Sequence, residues 1–158
     1  LPCTVDLISG KGQYSLDRRM EDIILAIAEH YKVSLCMVWA TAPGGAVLEV
    51  GCGASRSSLP RCSCRIFPCN FEHSEPLIIS DASKDQNMWN HPVVTQPPHL
   101  HFYAAVPLMH EAEQNMGVLL IADTAPRHEF AVEDCGILIS KANELSNLLK
   151  EHDAVAAL

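Results

Sequence analysis

Three consecutive stretches decide the fold: His101-Phe-Tyr-Ala-Ala-Val-Pro-Leu-Met109, the polar His110-Glu-Ala-Glu-Gln-Asn115, and Met116-Gly-Val-Leu-Leu-Ile-Ala-Asp123. Two apolar runs of strand length around a short polar turn predict an antiparallel hairpin. Working back along the chain, Val33–Thr41, the turn Pro43-Gly44-Gly45 and Ala46–Cys52 predict a second hairpin. Leu77–Ser80 reads as a short strand. Hairpins at both ends imply an antiparallel sheet, because parallel strands need long crossovers. Outside the strands lie two helix patterns. From Ser15, a capping residue, Met20, Ile23, Ile24, Ile27, Ala28 and Tyr31 recur at helical spacing. After Pro126, the residues Phe130, Ile137, Leu138, Leu145, Leu148 and Leu149 predict a closing amphipathic helix. Residues 53–74 and 81–100 read as two long connections, the second interrupted by Pro92, Pro97 and Pro98. Loops of that length in so short a chain are usually functional.

The expected architecture is α/β (α+β). A central antiparallel sheet of five or six strands carries the terminal helices on one face and long pocket-forming loops on the other. Residues 1–14 read as a lead-in, 15–150 as the domain and 151–158 as a C-terminal tail. The opening Leu1-Pro2-Cys3-Thr4 suggests a piece excised from a longer protein.

Composition narrows the function. The chain has 158 residues, 48% hydrophobic and 19% charged, with a formal net charge of −8. That balance argues against nucleic-acid binding, which needs clustered Lys and Arg, and against anionic membrane surfaces. No apolar run approaches the roughly 18 residues that span a bilayer. Seven cysteines, an odd number in a chain with ample apolar content, fit a reducing compartment better than a disulfide scaffold, so a cytoplasmic location is expected. No G-x-S-x-G elbow, Walker loop or H-E-x-x-H occurs, so no catalytic residues are assigned.

Four segments in register carry a family likeness: Leu77-Ile-Ile-Ser-Asp81-Ala82-Ser-Lys-Asp85, Asn90-His-Pro92-Val-Val94, Phe102-Tyr103-Ala-Ala-Val-Pro107-Leu108, and Gly117-Val-Leu-Leu-Ile-Ala-Asp123-Thr-Ala-Pro126-Arg127. Over about residues 15–150 the chain resembles the GAF domains of bacterial-type signalling proteins. On physical grounds Asp81 and Asp85 suit turn capping at a strand exit. Pro107 is expected to end regular pairing, Gly117 to permit a close approach, and Asp123 to pin the Pro126-Arg127 turn.

The resemblance implies a non-enzymatic sensory or regulatory domain of an intracellular signalling protein. Such a domain binds a small molecule, or relays the state of neighbouring domains of its parent, through the terminal helices. It also implies a homodimer through those helices. The family pocket lies between sheet and loops, which here points to Trp39, Ile66, Phe67, Asp81, Trp89, His91, Val94, His101, Phe102, Tyr103 and Ala105. Relatives often carry Arg at His101 and Gly at Ala105; a His there meets an anion only when protonated, and the added methyl narrows the pocket. The cofactor is left unknown. The cyclic-nucleotide signature is incomplete, since Cys135 follows Phe130-x₃-Asp134 where that signature has Glu. There is no Cys-His pair of the bilin-binding kind, and Lys84–Trp89 departs from the methionine-sulfoxide-reducing pattern.

Two alternatives stand beside this reading. The run Cys62-Ser-Cys64-x₄-Cys69-x₃-His73 supplies four soft ligands for a metal or redox sensor, although C-x-C is tighter than the usual zinc knuckle. The other alternative is a ligand-free scaffold for dimerisation or interaction, its pocket filled by its own side chains. His99 and His101 alternate and would share a face if both lay in a strand; an imidazole there also suits haem iron.

Overall fold

The first predicted helix forms as its spacing requires. In the computed structural model, which describes residues 3–9, 18–41, 47–53, 75–109 and 115–156, helix α1 spans Arg18–Tyr31 and buries Met20, Ile24, Ile27, Ala28 and Tyr31 along one stripe. Ser15, the expected cap, lies outside the described residues. The helix ends on Lys32 in the left-handed region, with φ of 52°, and the Val33 amide returns to the Ala28 carbonyl at 3.3 Å. This is the αL closure at which glycine is commonest.

The strands are β1 (Cys3–Ser9), β2 (Leu35–Thr41), β3 (Val47–Gly53), β4 (Leu77–Ile79), β5 (Phe102–Met109) and β6 (Asn115–Asp123). They form one six-stranded antiparallel sheet in the order β1-β3-β2-β6-β5-β4. Both predicted hairpins are present, and the central β2–β6 pair joins them. Residues 3–9, expected to be part of a lead-in, are instead the edge strand β1, paired with β3. Pro107 does not end pairing with β6, which continues through Pro107↔Val118 and Leu108↔Gly117. Pairing stops at Ala105 only on the β4 side, where a proline's missing N–H costs no ladder bond.

The chain closes through a 3₁₀ turn at Val132–Cys135 that runs into helix α3, Gly136–Ala156. The expected stripe is therefore shifted. Phe130 precedes the helix and stacks with Tyr31 and Phe102, its ring centroid 5.9 Å and 4.9 Å from theirs. Ile137 faces outward, and Leu138, Ala142, Leu145, Leu148 and Leu149 form the buried stripe. Most of the expected tail, up to Ala156, is helix.

Helices α1 and α3 cover one face of the sheet. There Cys36, Val38, Ala40, Phe102, Ala104, Val106, Leu119 and Ile121 pack with the helix residues. Tyr31 ties the two helices together: its hydroxyl donates to the Asp134 carbonyl at 2.6 Å and accepts from the Leu138 amide at 3.1 Å. It thereby satisfies a donor in the first turn of α3 that has no partner within its own helix. Gly117 is required by the central strand pair. A Cβ at this position would run into the Trp39 carbonyl and lie 2.8 Å from the Ala40 Cα, the close approach expected for it.

At the sheet end, Asp123 does pin the turn that follows. Its carboxylate meets Arg127 at 2.9 Å and accepts from the Thr124 amide and the Ser34 hydroxyl. The same guanidinium donates to the Lys32 carbonyl at 3.1 Å and lies 5.2 Å above the Phe102 ring. These residues bind the α1 terminus, β5 and the β6 exit together, which is a scaffold role. No helix among the described residues is long and apolar enough to cross a membrane.

Candidate functional site

The other face of the sheet is built in rows across the strands. Leu35, Ala122, Tyr103 and Ile79 occupy one row; Met37, Leu120, Ala105 and Leu77 occupy the next; Trp39, Val118 and Pro107 occupy the third. Over this face lies the segment 81–100, an ordered series of tight turns. A 3₁₀ turn at Ala82–Lys84 follows β4, and a short helix α2 spans Pro92–Thr95. Pro92 opens that helix rather than breaking it, since a proline at the first helical position gives up an N–H that has no helical partner. Ala82, Met88, Val93, Val94 and Leu100 are buried and pack onto Leu35, Met37, Tyr103, Ala105, Val118, Leu120 and Ala122.

The polar residues of the segment hold it in shape. Asp81 accepts from the Ser83 amide at 3.1 Å and the Ser83 hydroxyl at 2.6 Å, and the Asp85 carboxylate accepts from the Asn87 amide at 2.9 Å. Both aspartates cap turns, as expected. The Ser83 hydroxyl bond, with lesser help from the Ser83 amide, His101 and Lys84, holds the Asp81 carboxyl below its ordinary pKa. His91 caps α2, its Nδ1 accepting from the Val93 amide at 3.1 Å. Accepting at Nδ1 fixes the neutral ring with its proton on Nε2, and burial pushes the imidazole pKa down.

All but two of the expected site residues fall into four groups. Val94, Tyr103 and Ala105 meet within the covered part of the face, with His91 buried at its rim. Trp39 is half-buried at the border of the same cluster, next to the equally half-buried Leu77, which was not an expected site residue. Asp81 and His101 stand where the segment joins the sheet, the Ala82 amide donating to the His101 carbonyl at 2.6 Å and the His101 amide to the Asp123 carbonyl at 2.9 Å. Ile66, Phe67, Cys62, Cys64, Cys69 and His73 lie outside the described residues.

Two residues depart from expectation. Phe102 points to the helix face, among Ala104, Leu119 and Phe130, because Tyr103 and Ala105 take the alternate positions of β5 on the loop face. Trp89 is 58% exposed: in the turn closed by Asp85, it is Met88 that faces inward. His99 and His101 do not share a strand face either. β5 begins at Phe102, and His99 adopts a left-handed φ of 55°, its ring Nδ1 bonded to the Val94 carbonyl at 3.0 Å. Sequence reasoning missed Met88, Val93 and Leu100 as inward-facing residues. Their apolar character was a signal, but the irregular turns give it no period. No group of three or more His, Cys, Asp or Glu that could hold a metal occurs among the described residues.

The family model for the GAF domain matches residues 15–149. Among solved structures, the GAF domain of an Acinetobacter phosphoenolpyruvate-protein phosphotransferase is similar at 18% identity and a TM-score of 0.66, covering 89% of this chain and 94% of its own. The GAF3 domain of Slr1393 from Synechocystis sp. PCC6803, solved in its photoproduct state, has 15% identity and a TM-score of 0.68 over 89% and 96% of the two chains. A methyl-accepting chemotaxis protein segment has 10% identity and a TM-score of 0.62 over 89% and 98%. At such identities the likeness is one of fold. No curated protein matches the sequence.

Proposed function

This chain belongs to the GAF domain family, and from that premise we propose that it is a regulatory sensor domain of a cytoplasmic signalling protein. It takes a small molecule on the loop face of its sheet and passes the bound state to its terminal helices. Similar folds in a phosphoenolpyruvate-protein phosphotransferase, in a GAF domain solved in its photoproduct state and in a chemotaxis protein support the signalling role. One observation carries the binding role. Trp39 and Leu77 are half-buried at the border of a face whose neighbouring positions, Ala105, Val118 and Leu120, are buried. An indole beside aliphatic side chains offers a broad apolar surface, the main make-up of a small-ligand site. Transmission has a short route, because alternate residues of β5 touch both layers: Tyr103 and Ala105 the loop segment, Phe102 and Ala104 the helix layer.

The output would run through α3 and a second copy of the chain. Val132, Ile137 and Ile139 are exposed at 62%, 41% and 39% around the start of that helix, apolar surface suited to a homodimer. Native mass spectrometry of the purified protein, set beside its denatured mass, tests the sensor reading. A retained small molecule and a dimeric mass are expected. A bare polypeptide that also shows no melting shift with any ligand tried would overturn the binding role. It would favour the second reading, a ligand-free scaffold, for which the cover of Met88, Val93, Val94 and Leu100 on the face is the supporting observation.

A further inference from the structure

Three strands at one edge of the sheet bring cysteines into a single row. The β2–β3 register sets Cys36 opposite Cys52, and the β1–β3 register sets Cys3 opposite the same Cys52. Cys36 and Cys52 are both in the helix-face core, 0% and 4% exposed, with α1 packed over β2 and β3. Directly opposed residues of an antiparallel pair share a face, with Cα atoms about 4.5 or 5.5 Å apart according to the type of pair. Either spacing falls within the roughly 4.4–6.8 Å that a disulfide spans. Two thiols held side by side on adjacent strands are a dithiol pair, separate from the Cys62–Cys69 run.

We propose that Cys36 and Cys52 form a redox-active dithiol that a small-molecule disulfide such as glutathione disulfide converts to an intramolecular cross-strand disulfide. One cysteine, as thiolate, attacks a sulfur of glutathione disulfide and releases one glutathione thiolate, leaving a mixed disulfide. The neighbouring cysteine thiolate then attacks the protein sulfur of that mixed disulfide and releases the second glutathione. Two electrons pass from the cysteine pair to the oxidant, and the two thiol protons end on the two glutathiones. Burial makes the first step slow, since it waits on local opening of the sheet edge. The second step is fast because the resolving thiol is already adjacent. In the oxidised form β2 and β3 are bonded directly beneath α1, so the thiol state acts on the packing of that helix.

The full-length chain is incubated with and without glutathione disulfide, quenched with N-ethylmaleimide in denaturant, digested without reduction and mapped by mass. The expected product is one linked pair of peptides containing Cys36 and Cys52, two hydrogens lighter than their sum and lost on treatment with dithiothreitol. In Cys36→Ala, and in the better-filling Cys36→Val, the linked pair is absent and Cys52 is recovered carrying glutathione if it is the attacking thiol, or maleimide if Cys36 is. Recovery of both wild-type cysteines as maleimide adducts would overturn the proposal. So would a linkage of Cys52 to Cys3, Cys62, Cys64 or Cys69.

Discussion

The two faces of this sheet are sealed by different means. On the helix face, Cys36, Val38, Phe102, Ala104, Leu119 and Ile121 meet Ile24, Ile27, Leu138 and Leu145, residues with almost no exposure on either side. On the loop face the cover comes from tight turns, a four-residue helix and a few apolar side chains, and Trp39 and Leu77 remain half-buried. A long helix lays an apolar residue on the sheet at every turn. An irregular segment does so only where its turns happen to point inward. The helix face therefore sets stability, and the loop face is where structure can yield to a ligand.

The sharpest break of that contrast is a pair of truncations. Leu145→Ala is expected to lose about 4 kcal/mol and Met88→Ala about 2 kcal/mol, the upper and lower parts of the range for buried large-to-small changes. Urea denaturation of both variants reads the difference. Equal losses would mean that the loop segment is as much a part of the cooperative core as α3.

The same contrast explains what the sequence disclosed. The hairpin Phe102–Met109 with Asn115–Asp123 and the stripe of α1 were legible because period-2 and period-3.6 patterns map directly onto burial. Asp81, Asp85, Asp123 and Gly117 were legible because their chemistry serves local turns and close strands. Phase was lost wherever an element began off register. Taking His101 as the first strand residue mixed Phe102, which faces the helices, with Tyr103, which faces the loops. The 3₁₀ turn at Val132–Cys135 rotated the start of α3 and left Ile137 outside. β1 was overlooked although Thr4, Val5, Asp6 and Leu7 alternate polar and apolar, because Gly10 and Gly12 close behind it carry the signal of a flexible lead-in. In the site, the inward turn of Met88 and the outward turn of Trp89 follow from hydrogen bonds to Asp85 that no periodicity announces.

Gly117→Ala tests the helix face where the strands come closest. The new methyl group meets backbone atoms of Trp39 and Ala40 rather than a flexible side chain, so β2 and β6 have to separate. A loss of about 3 kcal/mol is expected, the upper end for overpacking. Gly51→Ala is the control: its Cβ comes no nearer than 3.2 Å to the Cys36 carbonyl, and a clearly smaller loss should appear in the same melting series. Tyr31→Phe follows at about 1.5 kcal/mol, the cost of leaving the Leu138 amide and the Asp134 carbonyl without the hydroxyl they share. Hydrogen exchange should show faster opening at the first turn of α3, with the loop segment unchanged.

The smallest effect separates the faces by pH. Burial raises the pKa of Tyr31 and of Cys135 above their ordinary values of 10.0 and 9.0. Both helix-face groups therefore stay neutral through pH 5–7, and their burial adds no pH dependence there. His91 on the loop face behaves oppositely, its folded pKa lying below the ordinary 6.5 because of burial. Below about pH 6.5 the unfolded chain binds a proton at this ring that the folded chain does not, so stability falls as pH drops through that value. The loss levels off once the folded ring also takes up its proton, below its lowered pKa, and that protonation gives up the Nδ1 acceptor of the Val93 amide. His91→Asn keeps a side-chain oxygen able to cap α2 and carries no titrating group. Stability measured from pH 7 to 5 should decline less steeply in this variant than in the wild type. Parallel slopes would show that His91 does not couple the loop face to pH, and the two faces would then differ in packing alone.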